Sequence, residues 1–331
     1  MNDIVRDRVA FSEFRLQSGA VMPEVTIAYC TRGRLGSDGR NAVLVTHGYT
    51  SGQQMIEPDG GSSEGSWATL VGPGAPIDTE RNYVVCSNML GSSFGSTNAA
   101  SIDPRTGRPY GSGFPTLSVL DIVTAQYRLL RHLGVRHLRA VVGPSYGGFQ
   151  AFQWAVSFPD FMSGIAPVVS APRHRRDMAA ETRARLAANP NWNGGDYYAT
   201  GGVRATMIEL RMETLRRYGM TDEAVIRRAA EQWAAVFDAN SLLILGRAAE
   251  QYDVTGELGR IRVPVLYVLS RTDTLFPPSL APGVMGALHE SGVDATYFEI
   301  DSDKGHLASG ADAAKWAPAL RNFMDRLDAA A

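Results

Sequence analysis

The chain has 331 residues, 44% of them hydrophobic and 20% charged, with a formal net charge of −2. That length suits one large α/β domain with an insertion or two domains, and the charge excludes the basic footprint of a nucleic-acid binder; no Lys/Arg run marks a membrane surface. Residues 1–7 are polar and lack the apolar core of a signal peptide, no stretch reaches the length of a membrane span, and Cys30 and Cys86 sit in strand-like runs as expected of buried free thiols, so the expectation is a cytoplasmic protein.

In chain order, residues 9–16 and 24–30 alternate apolar and polar positions around Gly19 and Pro23, which predicts an antiparallel hairpin at a sheet edge. A continuous apolar strand over 41–46 runs straight into His47-Gly48-Tyr49-Thr50-Ser51-Gly52. Residues 52–80 are rich in Gly, Ser and Pro with little periodicity and read as a long surface excursion, followed by a strand at 83–87. The Gly- and Ser-rich loop over 88–115 has the length of a functional or mobile segment. Leu117, Leu120, Ile122, Ala125, Leu129 and Leu133 then fall on one helical face, ended by Gly134.

Residues 138–159 concentrate the chemistry. A β-branched run (Ala140, Val141, Val142) enters the turn Gly143-Pro144-Ser145-Tyr146-Gly147-Gly148 and leaves through a helical pattern carrying Phe149, Phe152 and Trp154. A G-x-S-x-G turn between strand and helix predicts a nucleophile elbow, with Ser145 at the tip and the helix N-terminus aimed at any anion that develops there. The loop after the strand at 41–46 would add a second backbone donor, so Tyr49 N–H and Tyr146 N–H are the expected oxyanion-hole pair.

After a strand at 164–170 the alternation of strand and helix breaks. Residues 171–253 are helical and arginine-rich and read as a cap inserted into a core made of residues 1–170 and 254–331. The alternation resumes with a strand at 263–270, a helix at 282–290, a strand at 295–300 and a last helix with Trp316, Leu320, Phe323 and Leu327 on one face. The predicted architecture is an α/β-hydrolase fold, a mostly parallel sheet flanked by helices with a helical cap.

An elbow serine needs a base and an acid later in the chain. His306 follows a strand and Gly305, whereas His132, His137, His174 and His289 read as solvated or structural and His47 as a hydrogen-bonding support of the oxyanion loop. Asp273 stands just past the strand at 263–270 and is the expected orienting acid, with Asp301 and Asp303 as runners-up. No metal or cofactor is called for.

Several longer strings resemble the homoserine O-acetyltransferase family of α/β-hydrolases: V-V-C-S-N-M-L-G-S-S-F-G-S-T at 84–97, S-I-D-P-R-T-G-R-P-Y-G-S-G-F-P at 101–115, N-G-G-D-Y-Y at 193–198, F-D-A-N-S-L at 237–242 and D-T-L-F-P-P at 273–278, together with the elbow and Gly305-His306. The resemblance spans nearly the whole chain. It implies a triad of Ser145, Asp273 and His306, a cap that also forms a homodimer contact, and Arg211 and Tyr218 as the pair that grips a substrate carboxylate. Two positions depart from the family. Leu307 stands where the family has an aspartate that meets the substrate ammonium, and the elbow reads G-P-S-Y-G-G in place of G-G-S-M-G-G.

With leucine opposite an ammonium, homoserine pays a desolvation penalty of several kcal/mol. The expectation from sequence is therefore a serine ester hydrolase of short, acetate-type acyl esters with water as acceptor, with Leu307 lining the acceptor side of the pocket. An acetyl-CoA-dependent O-acetyltransferase of homoserine or a related alcohol is the alternative, and a catalytically dead binding protein on the same fold is the third reading. The partners expected are a small-molecule ester and a second copy of the chain, without nucleic acid or membrane.

Overall fold

The computed structural model describes residues 4–58, 66–174 and 178–329. Eight strands form one sheet: β1 (Val5–Arg15), β2 (Val21–Arg32), β3 (Ala42–Thr46), β4 (Tyr83–Ser87), β5 (Leu138–Pro144), β6 (Ile165–Val168), β7 (Val265–Ser270) and β8 (Ala295–Ile300). Their order across the sheet is β1-β2-β4-β3-β5-β6-β7-β8. The hairpin β1–β2 pairs antiparallel at one edge, and from β4 to β8 every pairing is parallel. All the parallel strands therefore end at the same edge of the sheet, where the loops after β3, β5, β7 and β8 converge.

Burial on both faces follows from the residue alternation within these apolar strands. Leu44, Val85, Val141, Tyr267 and Leu269 point into a core shared with α1 (Val119–His132) and α2 (Tyr146–Ser157). Val43, Val45, Val84, Cys86, Ala140, Val142 and Val268 point into a second core against α8 (Ala317–Ala329), which presents Leu320, Phe323 and Leu327. The start of α1 is fixed by a reciprocal capping box between Ser118 and Asp121.

Residues 66–80 are not the surface excursion that composition suggests. Trp67, Leu70, Val71 and Ile77 are fully buried, and Trp67 packs edge-on against Trp316 with ring centroids 5.5 Å apart. The remaining part of that excursion, residues 59–65, lies outside the described residues.

Between β6 and β7 the chain forms α3 (Met178–Ala187), α4 (Arg204–Arg217), α5 (Glu223–Ala234) and α6 (Ala239–Glu250), followed after β7 by α7 (Ala281–Glu290). The helical segment has its own apolar clusters, one around Trp192, Trp233 and Phe237 and one around Met212, Leu215 and Tyr218. Asp238 locks it together. It caps α6 by accepting from Ser241 N–H at 3.0 Å, accepts from Tyr198 Oη at 3.0 Å, and also accepts from Tyr197 Oη. The D-Y-Y and F-D-A-N-S-L strings thus meet one another, and their joint role visible here is to hold α6 in place. Among the described residues no helix is long and apolar enough to cross a membrane.

Candidate active site

Ser145 sits between β5 and α2 with φ +55° and ψ −119°, a backbone conformation that a non-glycine residue adopts only when its surroundings impose it. Those surroundings are tight. Ser145 N–H donates to Val168 O at 2.8 Å, and Ser170 Oγ donates to Ser145 O at 2.7 Å. A Cβ on Gly147 would lie 2.3 Å from the Thr46 carbonyl oxygen, and one on Gly148 would lie 2.3 Å from Ser170 Cβ. The turn therefore closes only with glycine at both positions. Tyr146 is the first residue of α2, so its N–H has no acceptor within the helix.

His306 Nδ1 lies 2.8 Å from Asp273 Oδ2, with both side chains buried. The other oxygen, Oδ1, accepts from Leu275 N–H at 2.7 Å and from Phe276 N–H at 3.2 Å. Burial by itself raises the Asp273 pKa, but the charge and hydrogen bond of His306 and these two backbone donors together outweigh it, and the carboxyl titrates below its usual range. An ionised Asp273 fixes the proton of His306 on Nδ1 and leaves Nε2 as the basic nitrogen. The imidazole is held between Tyr218 (centroids 4.9 Å) and Phe276 (5.8 Å). Asp301 and Asp303, the other acids considered, are instead paired on the surface with Arg271 and Lys304.

His47 is fully buried behind the loop that follows β3. Its Nδ1–H donates to Gly48 O at 2.8 Å while Nε2 accepts from Met89 N–H at 3.1 Å. Burial lowers its pKa to about 4, so it is a neutral brace of that loop. In front of it the rings of Tyr49 and Tyr146 stack at 5.9 Å with an interplanar angle of 6°. Tyr49 Oη donates to Leu242 O and Tyr146 Oη donates to Leu245 O at 3.2 Å, so both tyrosines bind the site to α6.

Ser145 opens into a cavity of about 610 Å³. Its walls are Tyr49, Tyr146 and Phe149 on the sheet side, Thr214, Arg217, Tyr218, Gly246 and Ala249 from the helical segment, and Leu275, Phe276 and one face of α7. Arg173 and His174 also line it. His174, read from sequence as solvated or structural, is thus a cavity residue, and so is Arg217, which the sequence reading passed over in favour of Arg211. Arg211 and Leu307 are not in the lining. Arg211 is buried, donates from Nη1 to Thr50 Oγ1 at 2.9 Å, and lies over the rings of Trp233 (5.2 Å) and Tyr218 (5.7 Å). Leu307 packs against the Met212–Leu215–Ile226 cluster between α4 and α5. Among the described residues, no aspartate or glutamate lines the cavity.

The profile of the α/β-hydrolase fold matches residues 41–310. A homoserine O-acetyltransferase from Caulobacter vibrioides is 37% identical over 94% of this chain and 91% of its own length. The chain belongs to the homoserine O-acetyltransferase family of α/β-hydrolases. A homoserine O-succinyltransferase from Bordetella pertussis is 35% identical, covering 94% of this chain and 86% of its own. Among solved structures, esterase E22 superposes with a TM-score of 0.85 at 25% identity, over 97% of this chain and all of its own. The protein is therefore an enzyme of the α/β-hydrolase superfamily, of the acyltransferase or hydrolase kind.

Proposed function

We propose that this chain is an O-acyltransferase that moves an acyl group from a CoA thioester onto homoserine or a related alcohol through an acyl-Ser145 intermediate. The observation that carries this reading is the buried Asp273–His306 pair, whose imidazole lies against the cavity residues Tyr218 and Phe276, together with the strained Ser145 that lines the same cavity, in a chain whose relatives of near-equal length include homoserine acyltransferases. His306 takes the Ser145 Oγ proton as Oγ attacks the thioester carbonyl, and Asp273 stabilises the imidazolium. The backbone N–H groups of Tyr49 and Tyr146 receive the oxyanion, and His306 returns its proton to the departing thiolate. The acceptor hydroxyl then gives its proton to His306 and attacks the acyl carbon, the acyl–Oγ bond breaks, and His306 returns the proton to Ser145 Oγ. The helical segment, residues 171–253, serves as the cap over this site and as the contact surface of a homodimer.

The sequence argument against homoserine assumed that Leu307 faces the pocket. Leu307 is not among the residues that line the cavity and packs against the α4–α5 cluster that includes Tyr218, so that premise loses its support. Hydrolysis remains the second reading because of a different observation: among the described residues no carboxylate lines the cavity to serve an ammonium group as counter-ion. Acetyl-CoA supplied with and without homoserine, with free thiol followed over time, separates the two. Thiol release that rises with homoserine supports transfer. Release indifferent to homoserine, alongside turnover of p-nitrophenyl acetate in water, would assign the chain to the hydrolases.

A further inference from the structure

The cavity is large for the chemistry of an acetyl group. At about 610 Å³ it lies within the range of roughly 300–1,000 Å³ typical of pockets that bury drug-sized ligands. One wall is apolar: Leu280, Gly283, Val284 and Ala287 follow the i, i+3, i+4, i+7 spacing of one helix face, so α7 and the residue that caps it turn a single stripe toward the cavity that Ser145 lines. Leu275, Phe276, Leu280, Val284 and Ala287 are only half-buried, which leaves apolar surface facing the cavity. Gly283, exposed in the same lining, has open space where a Cβ would stand, with no atom within 4 Å.

We infer that the acyl group handled by Ser145 is a medium-length apolar chain, longer than acetyl, which lies along this face of α7. A competing occupant is the pantetheine arm of a CoA donor. That arm carries amides, and the side chains of Leu280, Val284 and Ala287 offer them neither donor nor acceptor, so it is the poorer match for this wall. Unbranched alkyl has no such requirement, and each methylene laid on the wall gains hydrophobic burial. The arginines Arg173 and Arg217 line the same cavity, so it also carries cationic groups that suit an anionic donor or acceptor.

This inference rests on the acyl-Ser145 reading above, and one experiment separates the two. Purified full-length enzyme is given p-nitrophenyl acetate, butyrate, hexanoate and octanoate, with phenolate release measured and the labelled residue located by mass spectrometry. We expect kcat/KM to rise by about threefold per added methylene, at least as far as hexanoate. Gly283→Phe, which fills the space beside the stripe, should lower the octanoate-to-acetate ratio of kcat/KM at least about tenfold, with circular dichroism confirming that it folds. A Gly283→Ala control should leave the ratio close to wild type. A wild-type preference for acetate, or a ratio that Gly283→Phe does not move while acyl-Ser145 still forms, would overturn the acyl-chain assignment alone. Absence of any acyl adduct on Ser145 with every ester would overturn the underlying acyl-enzyme reading and this inference with it.

Discussion

The elbow and the helical segment both border the cavity, yet they are held in different ways. At the elbow, the α2 backbone closes directly on its neighbours: Gly147 meets the Thr46 carbonyl and Gly148 the Ser170 side chain, while Ser145 donates its N–H to Val168 O and its carbonyl accepts from Ser170 Oγ. In the helical segment, side chains meet side chains, with Asp238 gathering Tyr197, Tyr198 and the start of α6. A backbone fit tolerates almost no change in residue size. A side-chain lock fixes position but leaves the cavity-facing residues free to vary, so one family can keep its acyl-transfer step while its pocket walls diverge.

The largest effect should come from breaking the backbone side. Gly147→Ala places a methyl against a main-chain oxygen that cannot rotate away, and we expect a loss of about 3 kcal/mol in stability. Activity should fall with it, because relief of the clash moves Thr46 and the loop that carries Tyr49. Chemical denaturation and ester turnover on the same sample check this; wild-type values for both would show that the fit is looser than described. On the other side, Asp238→Ala removes a helix cap and the acceptor for the hydroxyls of buried Tyr197 and half-buried Tyr198, for an expected cost of about 2 kcal/mol. Ester kcat should change little. A collapse of kcat with unchanged stability would mean that Asp238 serves the chemistry directly.

The smallest effect concerns His47, the brace of the loop that follows β3. Its pKa is near 4 in the folded chain against about 6.5 when unfolded, so between those values the unfolded state binds the extra proton. Stability is fully present above the unfolded value and declines as pH falls through the window, by roughly 1 kcal/mol between pH 7 and pH 5.5. A His47→Gln variant should lose that part of the pH dependence. An identical slope in wild type and variant would assign the acid sensitivity to other groups.

The fold was legible because its signals are local. Apolar runs marked the strands, and G-x-S-x-G between a strand and a helix located the elbow; Asp273 and His306, selected by their place after strand ends, are brought to 2.8 Å of one another. What was not legible depends on direction or distance. Gly305–Leu307 forms a turn of 3₁₀ helix, in which neighbouring side chains diverge by about 120°, so adjacency to His306 said nothing of where Leu307 points. Residues 66–80 looked like a surface loop because Trp67 finds Trp316 across most of the chain. The stripe on α7 was visible as a helical pattern, but no local rule distinguishes a face that packs on a core from one that lines a cavity.

The central claim is that acyl transfer passes through Ser145, and trapping that intermediate tests it most directly. Enzyme mixed with acetyl-CoA, or with a longer acyl-CoA, is quenched in acid during turnover and digested for peptide mass mapping, with and without homoserine. The account predicts an acyl adduct confined to Ser145 that accumulates without acceptor, is discharged when homoserine is added, and is absent from Ser145→Ala. No adduct at any time, or an adduct on another residue that persists in Ser145→Ala, would contradict it.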